Sequence, residues 1–317
     1  MSTTSPSVAD RLVHTYSIVA RDPHTGQMGV AVQSHFFSVG SVVPWAEAGV
    51  GAVATQAFAN ADYGPEGLAL MREGRNAERA LETLLKGDEE REIRQVALVD
   101  AHGAVAVHTG YRCIPAAGHL TGDYFSVQAN LMVNDSVWPA MKRAYEEARG
   151  DLADHMIAAL EAAQAAGGDL RGQQAAALLI VSGERQQKPW QGRLFDLRVD
   201  DHPRPVEELK RLVSLRKAWL LFERSNELAR AQHADEAVRL LKQAIALQPD
   251  CAELTFRGAE ILFLAGQPQE ALAAFREVFA QEPAWAEMVQ RLAAVGLMPN
   301  DPALLKYILD QRSEAPR

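Results

Sequence analysis

The sequence predicts an α+β domain over residues 15–204, arranged as a four-layer α/β/β/α sandwich, and an all-α helical array over residues 205–317. Three observations lead there. In the first part strand-like runs come as hairpins and helical runs come as pairs, unlike the strict alternation of a doubly wound parallel sheet. Composition changes near residue 202, where Asp201-His202-Pro203-Arg204-Pro205 interrupts regular structure with two prolines. Beyond it a helical pattern repeats every 34 residues. A length of 317 residues suits two domains.

The elements follow in order. Residues 1–14 read as a disordered polar leader without the apolar core of a secretory signal. Residues 15–33 read as a β-hairpin across the turn Asp22-Pro23-His24-Thr25-Gly26, where proline presets φ and glycine accepts a positive one. A strand of small residues is expected at 49–56, then helices at 64–73 and 77–86, the second capped by Asn76 with Ala80, Leu81, Leu84 and Leu85 on one face. Residues 94–100 and 104–109 form a hairpin across His102-Gly103, and 124–131 is a strand. Helices at 135–149 and 151–166 end at Gly167-Gly168, and strands at 175–182 and 194–199 complete the domain.

In the second half Glu236-Ala237 recurs as Glu270-Ala271, Leu241 as Phe275 and Pro249 as Pro283, each 34 residues on. Helices at 218–230 and 235–247 make one unit, and 252–264 and 269–281 the next. This resembles tetratricopeptide repeats in period and anchor positions. A degenerate third unit starts at Trp285 and ends in a capping helix at 302–311. Such an array implies a protein partner or self-association.

Lys plus Arg number 32 against 41 Asp plus Glu, a formal charge of −9, which argues against nucleic acid or an anionic membrane as the general partner. No apolar run approaches a membrane span. Two distant cysteines, Cys113 and Cys251, give no disulfide framework. A cytoplasmic protein with neither metal nor cofactor is the expectation.

The stretch TYSIVARDPHTGQMGVAVQSHFFSVGSVVPWAEAGVGAVATQAFAN from Thr15, the segment from Cys113 through Gly118-His119 to Ser126-Val127-Gln128-Ala129-Asn130, and AALEAAQAAGGDLRGQQAAALLIV ahead of Ser182 resemble the bacterial family called domain of unknown function 1028. That family looks like a branch of the N-terminal-nucleophile (Ntn) hydrolases, whose fold is the α/β/β/α sandwich. The resemblance implies a Thr, Ser or Cys nucleophile at the start of the first strand, with its freed α-amine as base. Thr15 matches that position. A hydroxyl needs a base at neutral pH, and an α-amine titrates near neutrality. The role requires the His14–Thr15 bond to be cut, since removal of Met1 exposes Ser2 instead. The sequence also departs from the proteasome-like branch in having no lysine between Thr15 and Lys86. Without these features Thr15 is a β-branched residue opening a strand.

Other candidates lie on the matching segments. Ser34 and His35 end the second strand; His35 is a general base or a hydrogen-bonded strand-edge histidine. Glu47 beside Trp45 is a desolvated acid or base, or a loop cap. Gln56, Asn60, Gln128 and Asn130 bind substrate and steady an oxyanion, or satisfy one another in a core network. Cys113 with His119 offers a thiol nucleophile, or a small buried thiol with a structural histidine. The Gly167–Gln174 turn is not a nucleotide P-loop; it presents Asp169 and Arg171 to a substrate or a subunit interface. The leading expectation is an Ntn-type hydrolase of a small amide. The alternatives are a non-catalytic ligand-binding sandwich joined to a protein-interaction array, and a Cys113/His119 hydrolase. Ser34, His35, Gln56, Asn60, Gln128 and Asn130 are expected to converge beside Thr15, whose hydroxyl opens into a shared cavity.

Overall fold

The computed structural model describes residues 10–298 and 301–314. The chain divides into two compact units, Met1–Val213 and Ser214–Arg317. In chain order the first contains β1 (Asp10–Val13), β2 (Thr15–Arg21), β3 (Met28–Ser34), β4 (Pro44–Glu47), β5 (Gly51–Asn60), α1 (Tyr63–Arg72), α2 (Ala77–Gly87), β6 (Arg94–Asp100) and β7 (Val105–Thr109). It continues with β8 (Gly118–Gly122), β9 (Phe125–Ala129), α3 (Val137–Glu147), α4 (Leu152–Ala165), β10 (Ala175–Val181) and β11 (Arg193–Val199).

Two antiparallel sheets result. One has the order β1-β5-β6-β7, with β4 also on β5; the other runs β11-β10-β3-β2-β9-β8. Side chains alternate across each strand, so each sheet has an inner and an outer face. The inner faces meet in an apolar layer that includes Val19, Met28, Val30, Val32, Ala52, Ala54, Ala97 and Val99. Helices α1 and α2 pack on the first sheet, and α3 and α4 on the second. Local chemistry fixes the helix starts. Asn76 accepts from the Arg79 amide at the head of α2, and Asp151 and Asp154 form a reciprocal capping box on α4. Gly167 and Gly168, at φ +116 and +62, turn the chain away from α4.

Three strands escape sequence reading. β1 corrects the disordered leader over Asp10–Val13; residues 1–9 of that expectation lie outside the described residues. Along with β4 it is only four residues long, and β8 lies between two glycines, so none shows a readable alternation.

Helix α5 (Pro205–Arg230) starts in the first unit, with Pro205 at a first-turn position that needs no amide donor. The expected boundary at 204/205 is therefore the start of a helix, and the units meet inside it. Val206, Leu209 and Val213 are buried, which keeps the first turns with the first unit.

The second unit continues with α6 (Ala234–Leu247), α7 (Ala252–Leu264), α8 (Pro268–Gln281), α9 (Ala284–Ala294) and α10 (Pro302–Asp310). Ala237 and Ala271, one repeat apart, are fully buried, and Leu241 and Phe275 sit in one core with Leu254, Ala259 and Val278. A Cβ on Gly258 would come within 2.8 Å of Leu241, so α6 and α7 approach closely there. Among the described residues no helix is long and apolar enough to cross a membrane.

Candidate functional site

At His14 the chain passes from one sheet to the other. Val13 pairs with Ala57 on β5, whereas Thr15 pairs with Ser34 on β3. The peptide between His14 and Thr15 therefore sits at a crossover. The His14 carbonyl oxygen receives the Ser34 hydroxyl at 2.5 Å and Arg171 Nη2 at 2.9 Å. Arg171 is held by Asp169, with Nε on Oδ1 at 3.0 Å and Nη2 on Oδ2 at 2.7 Å. The buried Asp169 carboxylate also accepts the backbone amides of Arg171 and His35, so its charge is well satisfied. The Thr15 carbonyl accepts the Asn130 amide at 3.1 Å.

Beneath this crossover lies a polar cluster between the sheets. Gln95 Nε2 faces the carbonyls of Gly118 and Ala129, at 3.2 and 2.9 Å, and Thr109 Oγ1 at 2.9 Å. Carbonyls only accept, which fixes the Gln95 amide and leaves Oε1 as an acceptor. That oxygen takes Gln56 Nε2 at 2.7 Å and Asn130 Nδ2 at 2.9 Å. Gln56 Nε2 also faces the Thr15 and Gln128 carbonyls. Ser17 donates to Gln56 Oε1 at 2.6 Å and accepts from Gln128 Nε2 at 2.7 Å, while Ser126 donates to Gln128 Oε1 at 2.9 Å. The remaining Asn130 oxygen pairs with His14 Nδ1 at 2.8 Å. Because Asn130 Nδ2 is committed to Gln95, His14 Nδ1 is the donor. Burial lowers the His14 pKa, with the nearby Arg171 charge acting the same way against the Asn130 hydrogen bond, which favours the charged ring.

Of the sequence candidates, Ser34, Gln56, Gln128 and Asn130 gather around Thr15, and all five are fully buried. The expected opening of Thr15 into a cavity is corrected: Thr15 is fully buried, as are the cluster residues around it, so the hydroxyl does not face solvent. His35 and Asn60 do not join. The His35 ring pairs with Gln173 O at 3.3 Å, and Asn60 Oδ1 accepts the Asp62 amide at the entry to α1. Glu47 lies opposite Gly51, at the far end of its strand pair, in an ion pair with Arg72. Cys113 donates to the Arg94 carbonyl at 3.4 Å, and His119 Nδ1 pairs with Thr109 Oγ1 at 2.8 Å, so the two do not form a thiol–imidazole pair. Burial pushes the Cys113 thiol up to about 11 and lowers the His119 pKa. Among the described residues no group of three or more His, Cys, Asp or Glu could hold a metal ion.

Sequence reading missed Ser17, Gln95, Thr109 and Ser126. The signal was available for Gln95, a neutral polar residue directly before the apolar run 96–99 of a strand, and for Ser17, two residues beyond Thr15 on the same face.

The family model described as "Family of unknown function (DUF1028)" matches residues 15–209. The chain belongs to the DUF1028 family. A tetratricopeptide repeat model matches residues 228–295. The crystal structure of a DUF1028 protein from Silicibacter pomeroyi aligns with a TM-score of 0.57 and 31% identity, over 63% of this chain and 84% of that one. No curated protein matches. The DUF1028 match begins at Thr15, directly after the crossover residue His14, and takes in the rest of the polar cluster as far as Arg171, while the repeat match lies wholly in the helical unit.

Proposed function

We propose that this DUF1028 chain is an Ntn-type amidohydrolase, with the two-sheet unit as its α/β/β/α sandwich, which matures by scission of the His14–Thr15 bond and then hydrolyses an amide of a small substrate through Thr15. The observation that carries the reading is the pair of donors on the His14 carbonyl. A buried carbonyl needs one partner. This one has two, one of them a guanidinium already anchored by a buried carboxylate, at the bond that would have to break.

The step balances within the chain. Thr15 Oγ adds to the His14 carbonyl carbon, and Ser34 and Arg171 stabilise the developing oxyanion. Collapse breaks the C–N bond, and the proton of the hydroxyl passes to the departing nitrogen. The His14–Thr15 ester so formed is hydrolysed by water, giving a His14 carboxylate, a restored Thr15 hydroxyl and a free Thr15 amine. That amine is the base for later turnover. Gln56 and Asn130 donate to the Thr15 carbonyl and to Gln95, so they are positioning residues that hold Thr15. The buried, unionised Cys113 and its separation from His119 count against a thiol enzyme.

The helical unit is read as a protein-binding or self-associating array, supported by the repeat match. Two free cysteines suit a reducing compartment such as the cytoplasm. Intact mass spectrometry tests the maturation: the expected product begins at Thr15 and lacks residues 1–14, and a wild-type chain that keeps its full mass overturns the reading.

A further inference from the structure

Under the maturation reading His14 is the acyl side of the first bond cut, so the seat of its side chain records what the neighbouring subsite accepts. The His14 ring is buried, edge-on to Phe58 with ring centroids 6.0 Å apart. Its Nδ1 meets Asn130 Oδ1, and its Nε2 is buried without a hydrogen-bond partner. The Asn130 amide cannot turn round to suit a different guest. Its nitrogen is held by Gln95 Oε1, and Gln95 is oriented by the Gly118 and Ala129 carbonyls. The subsite therefore presents one fixed acceptor and one aromatic edge, and no hydrogen-bond partner for a second polar atom.

We propose that the place of the His14 side chain is the acyl-side subsite of the mature site, and that it takes a flat, neutral group with one hydrogen-bond donor, such as the imidazole of a 3-(imidazol-4-yl)propanoyl amide. Rejection follows the same chemistry. A phenyl ring fills the space but leaves Asn130 Oδ1 unpaired, and a carboxylate sets acceptor against acceptor. The inference rests on the maturation reading.

The test uses full-length protein that has matured by itself, with the p-nitroanilides of 3-(imidazol-4-yl)propanoic, 3-phenylpropanoic and succinic acids. The expected kcat/KM for the imidazole compound exceeds that of the phenyl compound by about tenfold, the worth of one hydrogen bond, with the succinyl compound slowest. The three free acids, titrated calorimetrically, should bind in the same order, which reads the subsite even where turnover is slow. In cis, His14→Phe should slow the appearance of the Thr15-starting product by about tenfold. A chain that matures yet prefers phenyl or succinyl groups, binds the three acids equally or binds none of them overturns the subsite and leaves the maturation standing. A wild-type chain that never matures removes both.

Discussion

The layer between the sheets has two ends built on the same strands. At one end Val19, Met28, Val30, Val32, Ala97 and Val99 interlock without a polar side chain. At the other Ser17, Ser34, Gln56, Gln95, Gln128 and Asn130 occupy the corresponding inward positions and are equally buried. Along β2 the change takes two residues, from Val19 to Ser17; along β3 it takes two, from Val32 to Ser34. Apolar burial is favourable on its own, whereas each buried amide costs free energy unless every donor and acceptor is met. Selection for stability alone would extend the apolar end. What the polar end adds is a set of directed hydrogen bonds that fix Thr15 and the carbonyl before it.

Thr15→Ala breaks the comparison most completely. It removes the hydroxyl proposed to attack, so the chain should keep its full mass indefinitely and show no amide turnover, while circular dichroism stays native. Thr15→Ser should mature and retain part of the activity. A Thr15→Ala chain that still loses residues 1–14 would transfer the scission to another group.

The next effect separates the carbonyl donors from the cluster beneath. Ser34→Ala and Arg171→Met should each slow maturation by about 10² to 10³, the usual worth of one oxyanion donor. Both proteins should remain folded, although Arg171→Met strands the Asp169 carboxylate and should also lower the melting temperature. Equal maturation rates in wild type and Ser34→Ala would reduce that hydroxyl to an ordinary partner of a buried carbonyl.

Stability distinguishes the two ends directly. Gln95→Met conserves volume but strips partners from Gln56, Asn130, Thr109 and two carbonyls; about 3 kcal/mol or more should be lost in urea unfolding. Met28→Leu, at the apolar end, also conserves volume and should cost less than about 1.5 kcal/mol. Similar losses at both sites would mean that the polar end relaxes or admits water.

Sequence alone gave most of the scaffold because its signals are local. Turn chemistry at Asp22–Gly26, the Asn76 cap and the Gly167-Gly168 stop each act within a few residues, and the repeat declares itself by period. Four of the residues around Thr15 were also legible, since neutral polar side chains on apolar strands stand out. The rest depends on pairing across the fold. Nothing near His14 in the chain reveals that Arg171 reaches its carbonyl, and nothing in the leader shows that Asp10–Val13 pairs with β5. His35, Asn60 and Glu47 looked equivalent to their neighbours until register placed Glu47 opposite Gly51 and Asn60 in the turn to α1.

The smallest expected effect concerns pH. His14 and His119 border the polar end, and burial is the leading cause of a lowered pKa in both. Each folded pKa therefore lies below its unfolded value near 6.5. Above that value both states carry neutral imidazole and nothing changes with pH. As pH falls below it, the unfolded chain binds protons that the folded chain resists, so stability is lost on acidification through the folded pKa values. The apolar end has no group that titrates, and Asp22 and Asp88, whose pKa values are also lowered, respond only near and below the ordinary carboxylate range. The Thr15→Ala protein, which keeps His14 in place, should thus become easier to unfold in urea between pH 7.5 and pH 5. His14→Asn in that background should flatten the slope without abolishing it, because His119 remains. A slope that is absent, or of opposite sign, would mean that the folded protein accepts a proton at His14. The fixed acceptor of Asn130 would then be holding an imidazolium, and the subsite would select cations.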